Sequence, residues 1–502
     1  MEIFTNLFKF SMEIFTNVFN KSNATSWKLV DDHKYQLHVT IDSTTKLEDS
    51  TDKEVVYMSD LKKRKKVYGI CKECNEPGTG EKWCRPCNSK RFKKNFENWT
   101  SGNKDIDELI QHSQINAVYS AKCLEWIPFE NFECVTYVSR GGFGKIYSAK
   151  WPEGFIRYWD IKNQAWKRAS NEQVALKSLD NSSSDLNTKL LDEIKSHIQI
   201  YIHDILPCYG ITQDPKTKDY MMVLHYCERG DLRKYLSLPK KNIFHYYSKI
   251  NHLFKISRGL LDIHNAGKVH KDFHSGNILF GSAPYIGDLG MCQNENQSEG
   301  IYGVLPYMAP EVLSGHQYTK AADIYSFGII INEFLSEEIP YKDVPHDHIL
   351  TIKICKKGLR PRISKDTPKL LADLITKCWD ANAENRPTAK ELVHIFKNWN
   401  NEINKKNSEI YLQMKEYNKM RKSKNNKNNS NAAIQIHSQA IYTSRLLNLK
   451  NLAETVNSSN LLSIQFNSAD ATQSRSVNPI VSEFLDCQLS ESDINEIEDN
   501  NE

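Results

Sequence analysis

Val269-His270-Lys271-Asp272-Phe273-His274-Ser275-Gly276-Asn277, followed by the apolar Ile278-Leu279-Phe280, decides how this chain reads. Asp272 and Asn277 stand five apart, ahead of an apolar run of strand length, so two oxygen donors share one loop. Eleven residues beyond Asn277 lies Asp288, in Ile286-Gly287-Asp288-Leu289-Gly290. Asp288 and Asn277 make a hard-oxygen pair suited to Mg²⁺, an ion that prefers sites shared with phosphate oxygens.

Upstream, Val138-Ser139-Arg140-Gly141-Gly142-Phe143-Gly144-Lys145-Ile146 lies between two strand-like runs. Glycines there let backbone N–H groups approach phosphate oxygens, although a glycine-rich hairpin alone is only a turn. Val174-Ala175-Leu176-Lys177 then puts a lysine in an apolar strand. Such a lysine needs a partner, or an edge from which to reach water. Glu193, in the helical segment Leu190-Leu191-Asp192-Glu193-Ile194-Lys195, is a partner of opposite charge. Downstream come Tyr307-Met308-Ala309-Pro310-Glu311, Asp323-Ile324-Tyr325-Ser326-Phe327-Gly328, Cys378-Trp379 and Asn385-Arg386-Pro387. Each alone has an ordinary structural explanation; the whole series in this order does not.

In that order the motifs resemble those of the eukaryotic protein kinase domain, over residues 132–400. Cys-Trp…Arg-Pro-Thr and Asp-Ile-Tyr-Ser-Phe-Gly are most similar to the tyrosine-kinase-like group, and the whole chain resembles the expanded kinase families of mycorrhizal fungi. The resemblance implies an α+β bilobal fold, with a β-rich N-lobe and a helical C-lobe. It implies ATP and Mg²⁺, and a protein substrate. Lys177 then matches the phosphate-anchoring lysine, Glu193 its helix partner, and Asp272 the catalytic Asp that orients the substrate hydroxyl. Asn277 and Asp288 match the Mg²⁺ ligands. Val138, Gly141, Gly142 and Gly144 fall to the nucleotide loop, and Ile146, Ala175 and Leu279 to the walls around adenine. Leu224 guards the back pocket, and His225, Tyr226 and Cys227 form the hinge. Glu311 and Arg386 brace the substrate lobe.

The departures bear on which hydroxyl is phosphorylated. Ser139 replaces the first loop glycine, and Lys271 replaces an Arg, losing the planar fork that holds a phosphate. His274 stands where Ser/Thr kinases carry a phosphate-touching Lys, and Val304 where they carry its Thr partner. A serine/threonine kinase is expected over a tyrosine kinase, with dual specificity open. The alternative is a pseudokinase scaffold that binds nucleotide and docks partners. Between Asp288 and Glu311, Ser298 and Tyr302 are the loop hydroxyls before Tyr307, which is expected to be buried.

Cys71-Lys72-Glu73-Cys74 and Cys84-Arg85-Pro86-Cys87, nine residues apart, form two C-x₂-C knuckles. Four thiolates suit a closed, structural Zn²⁺ site; paired thiols without metal are the other reading. Residues 62–94 hold 12 Lys/Arg against 3 Asp/Glu. That surface could be a solvated face, or could meet a protein partner or, weakly, nucleic acid. Lys62–Lys66 could serve as a nuclear address.

Over 502 residues, 66 Lys/Arg nearly balance 62 Asp/Glu, so net charge excludes no partner class. No apolar run reaches membrane-span length, and the first residues lack a secretory pattern, so a cytoplasmic protein with reduced cysteines is expected. Residues 1–11 and 12–22 are identical at 8 of 11 positions, through a helical repeat or a duplicated start. The expected organisation is a mostly disordered 1–61, a basic zinc ribbon 62–95 and a helical linker 96–131. The domain 132–400 follows, then a low-complexity, largely disordered tail 401–502. Of 44 Asn, 18 lie in that tail. Ala440–Leu452 is its one candidate docking helix.

Overall fold

The computed structural model describes residues 37–39, 55–140, 144–179, 186–200, 204–238, 246–294, 300–427 and 435–447. Gly141, Gly142, Ser298, the duplicated start and the acidic end of the chain lie outside the described residues.

The first lobe is a six-stranded sheet. Its strands are β1 (Glu125–Trp126), β2 (Glu133–Arg140), β3 (Gly144–Trp151), β6 (Glu172–Leu179), β7 (Cys208–Gln213) and β8 (Tyr220–His225), in the order β1-β7-β8-β6-β3-β2. Between β3 and β6 runs a separate hairpin, β4 (Ile156–Asp160) with β5 (Ala165–Arg168). Alternation drives the sheet: Val174 and Leu176 of β6 and Met221 and Val223 of β8 join Ala149 and Trp151 in one core, while Ala175 and Leu224 face the other. On that second face lies helix α4 (Leu186–Gln199), through Leu190, Leu191 and Ile194.

The second lobe is helical. In Lys320–Ser336 every residue from Ala322 onward is buried, so the helix runs through the core, with Asp323 and Glu333 held there by hydrogen bonds. Gly328 is required there, because a Cβ would stand 2.8 Å from Cys378 Cβ of the crossing helix Lys369–Cys378. Helix Ala389–Glu402 starts with a capping box between Thr388 and Glu391 and buries Leu392 and Phe396. The bilobal α+β expectation therefore holds.

Three features differ from the sequence reading. The hairpin β4–β5 was not anticipated. The cysteine segment is not a free module. Helix α1 (Leu61–Tyr68) turns Arg64 inward, to donate to the carbonyls of Met58, Pro77 and Gly78. Trp83, beside helix α2 (Arg85–Asn95), and Phe92 within it stack on Trp166 of β5, at 5.8 and 4.9 Å between ring centres. Residues 96–131 likewise belong to the lobe: helix α3 (Lys104–Asn116) packs Ile106 and Ile110 into the cluster of α4.

After residue 400 the helix-like run 402–420 that opens the expected tail does form a helix, from Glu409 onward, and the third difference lies beyond it. Helix Glu409–Lys427 buries Ile410, Met414 and Tyr417 in the main core of the second lobe. Ala440–Leu447 is not helical: Arg445–Leu446 is a strand that pairs antiparallel with Tyr302–Gly303. The groove supplies backbone partners there, and an extended chain satisfies them where a helix would not. The rest of that expected helix, after Leu447, lies outside the described residues.

Candidate active site

The site forms where the two lobes meet, from loops that follow strands. β6 delivers Lys177 and α4 delivers Glu193. Lys177 Nζ lies 2.8 and 3.0 Å from the two Glu193 oxygens and 2.9 Å from Asp288 Oδ1. Burial alone would lower the lysine's pKa, but Asp288 and then Glu193 outweigh it and raise it. Lys177 is thus a fixed cation, the role its apolar strand left open.

The loop carrying Asp272 is anchored from below. Asp323 accepts backbone N–H bonds from His270 (2.8 Å) and Lys271 (3.1 Å), and its Oδ2 is 2.9 Å from His264 Nε2. The motif around Asp323 was visible in the sequence, but this holding function was not. Asn277 Nδ2 donates to the Asp272 carbonyl at 2.9 Å, which leaves its amide oxygen as the atom it can offer a cation. Asp288 sits at φ 53°, a left-handed backbone that aims its carboxylate at Lys177.

Asp272 is 3% exposed. Burial would raise its carboxyl, but His274, then the Ser444 hydroxyl and His270, outweigh it and hold the pKa below the usual value. The residue is an anion at neutral pH and can accept a proton. Its Oδ1 is buried with no hydrogen-bond partner among the described residues, and its Oδ2 accepts from Ser444 Oγ at 2.5 Å. His274 Nε2 stands 3.5 Å from the same oxygen. Because His274 Nδ1 accepts from the Gly276 N–H at 3.1 Å, the neutral ring carries its proton on Nε2, facing Asp272. Ser444 and its segment were missed as site residues. Their one signal, a serine before an arginine in a short apolar run, is too common to read.

Leu224 is buried, and Ala175, Cys227 and Leu279 pack half-buried against it, an apolar wall for a flat ligand. Burial pushes the Cys227 thiol up to about 12, so it stays neutral in that wall. Ile146 is opposite Lys177 across β3 and β6, and Gly144 starts the same strand. His225 and Tyr226 are half-buried beside them, whereas Val138 on the outer strand β2 is exposed. Arg386 grips Glu311 through two bonds of 2.6 and 2.7 Å, and Tyr307 is buried as expected, 2.6 Å from Glu333 and 2.7 Å from Arg233. Lys271 Nζ donates to Gln293 at 2.5 Å.

The four expected cysteines do come together: the Sγ atoms of Cys71, Cys74, Cys84 and Cys87 all lie within 4.8 Å of one another. Cys71–Cys87 and Cys74–Cys84 are 3.9 and 3.5 Å apart. A tetrahedral zinc with bonds of about 2.3 Å needs sulfurs about 3.8 Å apart, so the donor set fits. The knuckles close tightly: Gly80 has no room for a Cβ, which would meet Tyr119 Cβ at 2.6 Å.

Residues 132–396 match the family model for protein tyrosine and serine/threonine kinase. Among curated relatives, the probable serine/threonine-protein kinase gdt2 of Dictyostelium discoideum is 31% identical over 292 residues, 54% of this chain and 16% of that protein. Mitogen-activated protein kinase kinase kinase 7 of Homo sapiens is 26% identical over 282 residues, 54% of this chain and 42% of its own. Tyrosine-protein kinase SPK-1 of Girardia tigrina is 24% identical over 273 residues, 52% of this chain and 51% of its own. The chain thus spans about half or less of the length of these relatives, one named as a serine/threonine kinase and one as a tyrosine kinase.

Proposed function

The chain belongs to the protein tyrosine and serine/threonine kinase family, and from that premise we propose that it transfers the γ-phosphoryl group of ATP to serine or threonine hydroxyls of proteins. The observation that carries this reading is Lys177 bonded to both Glu193 and Asp288 in the cleft that also holds ionised Asp272. A scaffold that binds nucleotide and docks partners would use Lys177, Glu193 and Asp288 as well, so ionised Asp272 in the same cleft is what favours transfer.

Each group has a task in this reading. Lys177 neutralises the α- and β-phosphates. Asp288 and the Asn277 amide oxygen hold Mg²⁺, and the hard-oxygen donor set fits that ion. Mg²⁺, when bound, offsets the charge that gathers on the phosphates. The wall of Ile146, Ala175, Leu224 and Leu279 takes the adenine ring, and the hinge at His225–Cys227 offers it backbone bonds. Asp272 orients the acceptor hydroxyl and takes its proton, while His274 Nε2–H faces Asp272 Oδ2. Such catalysis is mainly positioning and charge stabilisation. The name of the probable serine/threonine-protein kinase gdt2 supports the smaller hydroxyls.

Cys71, Cys74, Cys84 and Cys87 hold a structural Zn²⁺ in the same reading. One zinc per chain, lost in Cys71→Ser/Cys74→Ser, is the expected elemental analysis.

The kinase reading is tested with full-length protein, ATP and Mg²⁺, with phosphorylated residues on casein identified by mass spectrometry. Asp272→Asn should lower turnover by about 10²–10⁴-fold while the melting curve stays the same. Wild-type turnover in Asp272→Asn would overturn the assignment.

A further inference from the structure

The groove in front of Asp272 is filled by the chain's own residues 435–447. The segment is bound as a peptide is bound, by added strand pairing and side-chain pockets. Arg445–Leu446 pairs with Tyr302–Gly303, and the Leu447 N–H donates to the Ile301 carbonyl at 2.8 Å. The Tyr302 hydroxyl donates to the Ser444 carbonyl at 3.1 Å. The Tyr442 ring lies 4.1 Å from the Arg233 guanidinium, and its hydroxyl reaches the Pro340 carbonyl at 2.7 Å. Arg445 Nη2 donates to the His346 carbonyl at 2.8 Å, and His346 Nδ1 is 2.8 Å from the Ile441 carbonyl. These contacts set the register that puts Ser444 Oγ 2.5 Å from Asp272 Oδ2 and 3.3 Å from His274 Nε2.

We propose that Ser444 is a phosphorylation site that this catalytic centre modifies within its own chain, and that the unmodified segment closes the substrate groove until it does so. The proposal rests on the kinase reading above. In the step, Ser444 Oγ forms a bond to the γ-phosphorus of ATP and its proton passes to the Asp272 carboxylate. The bond between that phosphorus and the β,γ-bridging oxygen breaks, and ADP leaves with the electron pair. The product cannot remain where it formed. A phosphate of roughly −1.5 to −2 charge beside the Asp272 anion is repelled, so the modified segment leaves and the groove opens. The same contacts define what an outside substrate should carry: an aromatic residue two before the acceptor serine, for Arg233, and a basic residue just after it, for the His346 carbonyl.

Full-length protein is incubated with ATP and Mg²⁺ over a wide range of dilution, and Ser444 phosphate is followed by mass spectrometry. A fractional rate that does not change on dilution is expected, and Asp272→Asn should abolish it. Casein is assayed in parallel. A tethered segment competes at roughly millimolar effective concentration, so unmodified protein should show a KM for casein about tenfold above that of Ser444→Glu. Ser444→Ala, which keeps the segment bound and cannot be modified, should stay at the high value. Trypsin should cut after Arg445 faster in Ser444→Glu than in wild type, without ATP. Wild-type protein that phosphorylates casein but leaves Ser444 unmodified, or modifies it with a fractional rate that rises with protein concentration, would overturn the proposal and leave the kinase reading standing. A chain that modifies neither casein nor itself would overturn both.

Discussion

At the scale of single residues, type and spacing show a role only when the partner is another side chain that chemistry demands. Lys177 needs an anion, and Glu193 and Asp288 supply it at 2.8 and 2.9 Å. The two proposed Mg²⁺ ligands differ in charge, and that difference can be measured. Asp288→Ala should weaken Mg²⁺-dependent nucleotide binding about tenfold more than Asn277→Ala, because a carboxylate brings a full charge and an amide only a dipole. Titration of nucleotide with and without Mg²⁺ checks this, and equal losses in the two variants would remove the metal roles. Lys122 shows the opposite case. Its ammonium donates to the carbonyls of His197, Ile198 and Ile200 at the end of α4, the helix that carries Glu193. Backbone acceptors leave no trace in a sequence, so nothing marked Lys122 beforehand. Lys122→Met leaves those carbonyls unsatisfied and should cost about 1–3 kcal/mol of stability. Urea unfolding measures the cost, and the KM for ATP should rise with it as Glu193 loosens. Lys122→Arg should recover part of both. Unchanged unfolding and KM in Lys122→Met would show that the contact does not hold α4.

At the scale of elements, the long strands and helices of the domain were legible because they carry their own periodicity. β3 and β6 largely alternate, β8 is a continuous apolar run between turns, and the buried helices repeat their apolar residues at helical spacing. The short elements were not legible, because what orders them lies elsewhere in the chain. Hairpin β4–β5 is ordered by the stack of Trp83, Trp166 and Phe92, and by Arg91 lying 4.3 Å from the Trp159 ring. The segment around Ser444, expected as a docking helix, is extended because the edge at Ile301–Gly303 offers it hydrogen bonds. Trp166→Ala removes the ring between two others. A fully buried Trp→Ala change costs about 3–5 kcal/mol. Trp166 is only half-buried, so about 2 kcal/mol is expected. The loss should appear as a lower melting temperature and faster release of metal to a chelator. If metal release keeps its wild-type rate, the hairpin is not what seats the cysteine segment.

At the scale of the molecule, the cysteine site and the catalytic cleft are joined by continuous packing. The knuckles position Trp83, whose indole N–H donates to the Ala117 carbonyl at 2.8 Å, just past the end of α3. Helix α2 packs along α3. Ile106 and Ile110 of α3 lie in one core with Leu190, Leu191 and Ile194 of α4, and α4 carries Glu193. The basic charge read as a free surface is partly consumed in this packing, since Arg64 ties the knuckle loop and Arg91 pairs with Glu73. The segment expected as a ribbon of its own is thus a brace on the lobe that carries the Lys177–Glu193 pair. A structural Zn²⁺ contributes folding free energy directly, about 10–16 kcal/mol in isolated zinc-finger peptides. Part of that should be felt at Glu193. Removing the metal with a chelator, or making Cys71→Ser/Cys74→Ser, should lower the melting temperature by roughly 5 °C or more, at about 2–4 °C per kcal/mol for a domain of this size. Turnover should fall with it, because α4 loses its backing and Lys177 its partner. Helix α3 and Lys122 remain in place, so the fall should be partial, about tenfold in kcat. Melting followed by tryptophan emission reads the brace, since Trp83 and Trp166 sit at the joint. A chelated protein with the same melting temperature and the same kcat would show that this packing transmits nothing to the active site, and that the four cysteines serve only their own loop.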